Sequence, residues 1–148
     1  MKRAIFILAL CIGLSARGQN QHNEKRTKGP AENFTGTAWV TSLVPDDSIL
    51  TTIVSSVSFE PGARTVWHKH PSGQILLVQE GNGLYQEKGN RLRKIKKGDV
   101  VRCKPDVEHW HGAAPNTSMT HVAINPNTEK GVVTWLQAVT EKEYQSGQ

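Results

Sequence analysis

The chain has 148 residues, of which 36% are hydrophobic and 21% charged. That is the length of one domain, with enough apolar side chains to close a core and too many for a chain disordered over most of its length. The formal net charge of +5 invites a nucleic-acid partner, but much of it sits at the N-terminus.

Residues 1–18 have the layout of a signal peptide. Lys2 and Arg3 begin it, Ala4 to Leu14 form a short apolar run, and Ala16-Arg17-Gly18 puts small residues three and one before a cut ahead of Gln19. The run is short for a membrane span. The alternatives are an uncleaved anchor or a lipoprotein modified at Cys11, though Leu10 is bulky for the latter. A cut before Gln19 implies a secreted or periplasmic protein with no stable membrane insertion afterwards. It removes Lys2, Arg3 and Arg17 and no acid, so 18 basic residues become 15 against 13 acids, a net charge of about +2. Cys103 is then the sole cysteine, without an internal disulfide partner. It lies after Val100-Val101 and reads as a small buried hydrophobe rather than a reactive thiol.

Residues 19–33 are polar and charged, contain His22, and read as a disordered leader before a barrel domain over residues 34–148. Runs rich in Val, Ile, Thr and aromatics follow. The spacing predicts strands at Thr37–Val44, Ile49–Phe59, Thr65–His70, Gln74–Gln79 and Leu84–Glu87. Further strands follow at Leu92–Ile95, Asp99–Cys103, His109–Ala113, Met119–Ile124 and Val132–Val139. Turn signals separate them, among them Pro61-Gly62, Gly81-Asn82-Gly83, Lys97-Gly98-Asp99 and Asn125-Pro126-Asn127. Ten short strands at such spacing predict an all-β barrel or sandwich. Thr140–Tyr144 predicts a short terminal helix, with Thr140 as N-cap and Glu143 at its third position. Arg91, Arg93, Lys94, Lys96 and Lys97 form a basic cluster with no interleaved aromatics. It reads as a solvated hairpin, and no nucleic-acid partner is expected.

Five of the six histidines fall between residues 68 and 121. His68 and His70 are two apart on a predicted strand, so both face one side, with Trp67 and Lys69 on the other. His109 and His111 repeat the pattern with Trp110 between them. Several unpartnered imidazoles in an apolar barrel would cost several kcal/mol. A metal at their lone pairs removes much of that cost. Imidazole and amide ligands without thiolate suit Mn, Fe, Ni, Cu or Zn.

At this point a family resemblance becomes specific. Gly62-x5-His68-x-His70-x3-Gln74-x6-Gly81 resembles the first cupin motif, and Gly98-Asp99-x5-Pro105-x3-His109 resembles the second. The resemblance implies a cupin double-stranded β-helix, or jelly-roll, barrel with one metal inside, and a homo-oligomer, dimer or tetramer. Trp67-His68-Lys69-His70-Pro71-Ser72-Gly73-Gln74, Glu108-His109-Trp110-His111-Gly112-Ala113 and Met119-Thr120-His121 narrow it. This pattern is similar to the small bacterial manganese cupins that include the cupin-type hydroxynitrile lyases. That likeness implies His68, His70, Gln74 and His109 as metal ligands, His111 and His121 as nearby histidines that do not bind the metal, and His121 as catalytic base; in cyanohydrin chemistry His111 would then donate a proton to the departing cyanide or position it. It also implies Mn(II), with Fe(II), Ni(II) or Zn(II) as alternatives, and a small-molecule substrate.

Two positions depart from the general cupin pattern. Val107 stands where glycine is usual, and Gln74 stands where the usual ligand is glutamate. A neutral amide leaves the charge of a dication uncompensated. This favours acid–base chemistry on a bound oxygen over steps through a trivalent metal. The expected function is cyanohydrin cleavage or synthesis, to or from an aldehyde and cyanide. The alternatives are a metal-dependent dioxygenase or alkene-cleaving oxidase, and a non-enzymatic ligand-binding cupin. Trp67 and Trp110 are expected to pack away from the metal, and Trp39 and Trp135 in the core or at a subunit contact. Val57, Phe59, Leu76, Val78 and Ala123 are candidates to line an apolar cavity.

Overall fold

The structure, a computed structural model, describes residues 25–146. The signal peptide, its cut before Gln19, and His22 lie outside the described residues. In chain order the first strands are β1 (Thr27–Lys28), β2 (Phe34–Thr35), β3 (Ala38–Val44) and β4 (Thr52–Phe59). Next come β5 (Arg64–Thr65), β6 (His68–Lys69), β7 (Gln74–Glu87), β8 (Arg93–Lys96) and β9 (Val100–Cys103). The last are β10 (His109–Ala113), β11 (Met119–Pro126) and β12 (Thr134–Trp135), before helix α1 (Glu141–Gln145).

All pairings are antiparallel, and the sheet runs β1-β3-β4-β11-β7-β10-β5-β2, with β9 and β8 also on β7, and β6 between β10 and β12. The all-β barrel expected from the sequence is what forms. Its two walls are joined through β7. The first half of β7 pairs with β9 and β11, and its second half with β8 and β10.

The passage from one wall to the other is made at Gly81-Asn82-Gly83, where the sequence predicts a turn between two strands. One 14-residue strand runs through it instead. Gly81 has φ +74°, and a Cβ there would collide with the Ser118 carbonyl. A Cβ at Gly83 would run into Met119 and the Gly112 carbonyl. Glycine here permits a bend and a close approach, as at other barrel corners, without ending the strand.

Other boundaries differ from expectation too, among them the strand predicted over Thr65–His70, which forms as β5 and β6 with Val66 and Trp67 between them and His70 just past the end of β6. Residues 27–28, placed in the leader, pair with Val40 and Trp39 of β3, and the Arg26 guanidinium lies 4.8 Å from the Trp39 ring centroid. A polar composition did not reveal a strand held by backbone hydrogen bonds and one cation–π contact. The strand predicted from Ile49 begins at Thr52, because Asp47 Oδ1 accepts from the amides of Ile49 (2.8 Å) and Leu50 (2.6 Å) and holds a turn there. Of Val132–Val139, only Thr134–Trp135 forms a strand, paired with Lys69 and His68, and beyond it the Leu136 amide donates to the Trp67 carbonyl and the Trp67 amide to the Gln137 carbonyl.

The inner faces of both walls bury one core, with Phe59, Leu76, Val78, Tyr85, Ile95 and Met119 at its centre. A second cluster covers the outside of the β10 wall: Trp67, Leu84 and Trp110 pack under Val139 and Tyr144. Helix α1 has the expected capping box, with Thr140 and Glu143 bonded to one another's backbone amides. Tyr144 donates to the Ala113 carbonyl at 2.8 Å, and buried Arg64 pairs with Glu141 at 2.5 Å. Trp67 and Trp110 therefore pack away from the histidines, as expected. Cys103 is buried, and burial pushes its thiol up to about 12, so it stays protonated. Among the described residues no helix is long and apolar enough to cross a membrane.

Candidate metal centre

The registers bring the histidines together. His68 and His109 are cross-strand partners on β6 and β10, and their ring centroids are 4.3 Å apart. His70 and His111 each lie two residues further along and share the inward face. Their ring centroids lie 5.2 Å (His70) and 5.2 Å (His111) from that of His68. The opposite wall supplies Gln74 from the start of β7 and His121 from β11. The two walls meet at His121 Nε2 and His111 Nδ1, 3.2 Å apart. All six side chains are buried.

Hydrogen bonds sort the rings into two kinds. His68 Nδ1 lies 2.9 Å from the Val66 carbonyl, His70 Nδ1 2.6 Å from that of Val132, and His109 Nδ1 2.9 Å from that of Val107. A carbonyl can only accept, so each Nδ1 carries the proton and each Nε2 is left with its lone pair. The Gln74 amide is held likewise. Its Nε2 donates to Asn125 Oδ1 at 3.0 Å, which turns its Oε1 into the site. His70 Nε2, His109 Nε2 and Gln74 Oε1 are buried without a hydrogen-bond partner. Three such atoms in one place are costly unless something binds them, and a divalent cation fits this set of neutral nitrogen and oxygen donors. His111 Nε2 and His121 Nδ1 are also buried and unpartnered, but these two rings face each other instead of backbone carbonyls.

One nitrogen from each of His68, His109 and His111 falls within 4.8 Å of the others. This trio could hold a metal. It overlaps the ligand set expected from the sequence at His68 and His109 and draws in His111, expected as a neighbour. Burial holds all five imidazoles below their ordinary value, most strongly His68, next to His109, and His111, next to His121. His109 and His121 are pushed down to about 4. All are neutral at pH 7, as metal ligands and bases must be.

A cavity of about 260 Å³ opens beside the rings. Val57 and Ala123 line it, as expected, with Val40 and Ile53. Phe59 packs against the far sides of His111 and His121, with centroids at 5.9 and 5.6 Å, while Leu76 and Val78 belong to the core. Trp135, expected in the core or at a subunit contact, stands at the cavity with its ring 5.0 Å from His68 and 6.0 Å from Phe34. Sequence reasoning also missed Asn125, which it placed in a turn. The inward alternation Met119, His121, Ala123 along β11 continues to it, and that period was the available signal.

Residues 55–125 match the family described as Cupin domain. An (R)-mandelonitrile lyase from Granulicella tundricola is 47% identical over 119 residues, covering 79% of this chain and 89% of that protein. The chain belongs to the cupin family. Among solved structures, a cupin-like protein from Thermotoga maritima matches this cupin with a TM-score of 0.81 and 50% identity, over 83% of this chain and 94% of that one. A predicted oxalate decarboxylase from the same organism shares the fold, at TM-score 0.63 and 18% identity, over 77% of this chain and 95% of that one.

Proposed function

We propose that this cupin is a secreted or periplasmic metal-dependent lyase that cleaves or forms cyanohydrins, with Mn(II) held by His68, His70, Gln74 and His109. The observation that carries the reading is the pair His121–His111 beside that donor set, neutral and bonded to each other rather than to the backbone. The name of the 47% identical relative supports the same class of substrate. The three rings with Nδ1 bonded to carbonyls favour His70 over His111 as the third imidazole.

The metal, when bound, supplies a Lewis acid that makes a substrate hydroxyl more acidic. The chain's own residues then move one proton. His121 takes it from the hydroxyl at Nδ1. The carbonyl forms as the C–C bond breaks, and its electron pair leaves with cyanide. His121 Nε2–H passes its proton to His111 Nδ1, and His111 Nε2–H protonates the cyanide. Protons and electrons balance, and both rings finish in the other neutral tautomer. Val40, Ile53 and Val57 exclude water from one side of the cavity, and Trp135 offers an aromatic face at another.

The test is release of cyanide from mandelonitrile by the metal-loaded protein under anaerobic conditions. Turnover without oxygen is expected. Product formation only when oxygen is admitted would favour a dioxygenase, and no turnover in either atmosphere would remove the lyase reading.

A further inference from the structure

We propose that the outer face of the β7–β8 pair carries a second binding site, a groove for a small organic anion of the phosphate monoester type. The basic cluster of Arg91, Arg93, Lys94, Lys96 and Lys97 supplies the charge. Strand register sorts that cluster by face, because residues directly opposite one another on paired strands share a face. Lys94 stands opposite Leu84 and Lys96 opposite Asn82. Ile95 between them stands opposite Gly83 and is buried in the barrel core. Leu84 belongs to the outer cluster with Trp67 and Trp110. Both lysines therefore point outward, away from the candidate metal centre, and alternate positions on one strand set them about 7 Å apart.

A cavity of about 650 Å³ opens there, larger than the one of about 260 Å³ beside the histidines. Lys94 and Lys96 line it from β8, and Ala114, Pro115 and Asn116 line it from the turn after β10. That turn is pinned to β7 between the two walls. The Asn82 carbonyl accepts from the Ala114 amide and from the Thr117 hydroxyl, both at 3.1 Å, and the Asn82 amide donates to the Ser118 carbonyl at 3.3 Å. The close approach rests on the bare backbone of Gly81, where a Cβ would collide with Ser118. The groove is thus formed before any ligand arrives, as small-molecule sites commonly are.

The lining selects the ligand. Among the described residues the ion pairs are Arg64–Glu141 and Lys69–Asp106, so neither groove lysine has a carboxylate partner. The one acid in the lining, Asp99, sits at the Lys96 end, where its Oδ2 accepts from the Lys96 backbone amide at 2.9 Å. Two unpaired ammonium groups on a concave surface concentrate positive potential and attract an anion. Lysine meets phosphate as a point charge on a long stem, and two stems about 7 Å apart at their base can converge on one dianionic head. The Asn116 side-chain amide adds a donor at the opposite wall. Ala114 and Pro115, both half-buried, offer apolar contact to the body that carries the phosphate. The enclosed shape suits a small molecule, whereas a polyanion lying along the hairpin would engage Arg91 and Lys97 as well.

The experiment is calorimetric titration of the metal-loaded protein with phenyl phosphate at about 0.15 M salt, where charges more than about 8 Å away are screened. Saturable binding is expected, with none for phenol, which has the ring and lacks the charge. Combining Lys94→Glu with Lys96→Glu should raise the dissociation constant at least about tenfold, as loss of charge-assisted hydrogen bonds does. Both side chains are exposed, so the melting temperature should stay unchanged. Combining Arg91→Glu with Lys97→Glu changes the net charge equally but leaves the groove intact, and should alter the constant by less than about twofold. Absence of phenyl phosphate binding overturns the proposal. So does binding that survives the Lys94 and Lys96 changes at its original strength, which would put the anion on the metal. Equal weakening by the Arg91 and Lys97 changes would reduce the groove to a general basic surface and overturn it too, as would phenol binding as tightly as phenyl phosphate. No turnover is measured, so the result stands apart from the fate of the lyase reading.

Discussion

Gln74 and Asn125 face each other across β7 and β11, with the Gln74 amide donating to Asn125 Oδ1 at 3.0 Å. The amide has two ends, and this bond decides which one points at the imidazoles. Removing it in Asn125→Ala frees the amide to rotate and present its NH2 group to the site. Loss of such orienting contacts commonly weakens metal binding by about 10–100-fold. That loss is expected in a competition titration against a chelator, with partial rescue by Asn125→Asp, which keeps the acceptor. Unchanged affinity in Asn125→Ala would mean that Gln74 is not a ligand.

Gln74→Glu tests the charge at the same position. A carboxylate offers the cation a negative oxygen, and Asn125 can turn its own amide to donate to the other one. The site should keep its metal but stabilise the trivalent state better. Electron paramagnetic resonance of the manganese form in air should show faster loss of the Mn(II) signal than in the unaltered protein. An equal rate in the two proteins would remove the link between the neutral amide and the choice of acid–base chemistry.

Without metal, the buried imidazoles make the protein sensitive to acid. Burial pushes His109 and His121 down to about 4, from an ordinary value of 6.5. The unfolded chain therefore binds protons first as pH falls. Stability is full above about pH 6.5 and declines down to about pH 4, where the folded state begins to charge. Each of these two shifts contributes about 3 kcal/mol at the limit. The melting temperature of the metal-free protein should fall steeply between about pH 7 and pH 5. A flat profile over that range would mean that these rings are not buried in solution.

The barrel and its histidines were legible in the sequence because both rest on a two-residue period. H-x-H on a strand fixes two side chains to one face whatever the rest of the fold does. The missed features depend on distant partners. Gly81 and Gly83 read as a turn, since nothing local reveals that Ser118, Met119 and Gly112 press against them in a strand. Thr27–Lys28 owes its pairing to β3, more than ten residues away. Trp135 reaches the cavity because β12 pairs with β6, joining residues 67 positions apart, Trp135 and His68. Asn125 was hidden by the turn-forming residues that follow it.

The roles of His109 and His121 separate in one pair of variants. His109 Nδ1 is bound to a carbonyl and its Nε2 lies among the converging nitrogens, whereas His121 touches His111 from the opposite wall. His109→Ala should abolish stoichiometric metal, and His121→Ala should leave it largely in place, by elemental analysis. In His121→Ala, cyanide release should fall by about 10²–10⁴, as when a general base is lost. In the unaltered protein, activity should drop as acid protonates His121, since imidazolium accepts no proton. Metal loss can produce the same acid limb, because protonated histidines release the cation. Bound metal measured across the same pH range separates the two causes. An acid limb that persists unchanged in His121→Ala while metal stays bound would assign the titration to His111 or to a bound water, and would remove His121 as the base. Equal metal loss in both variants would instead make His121 a ligand, and the division between the two walls of the site would fail.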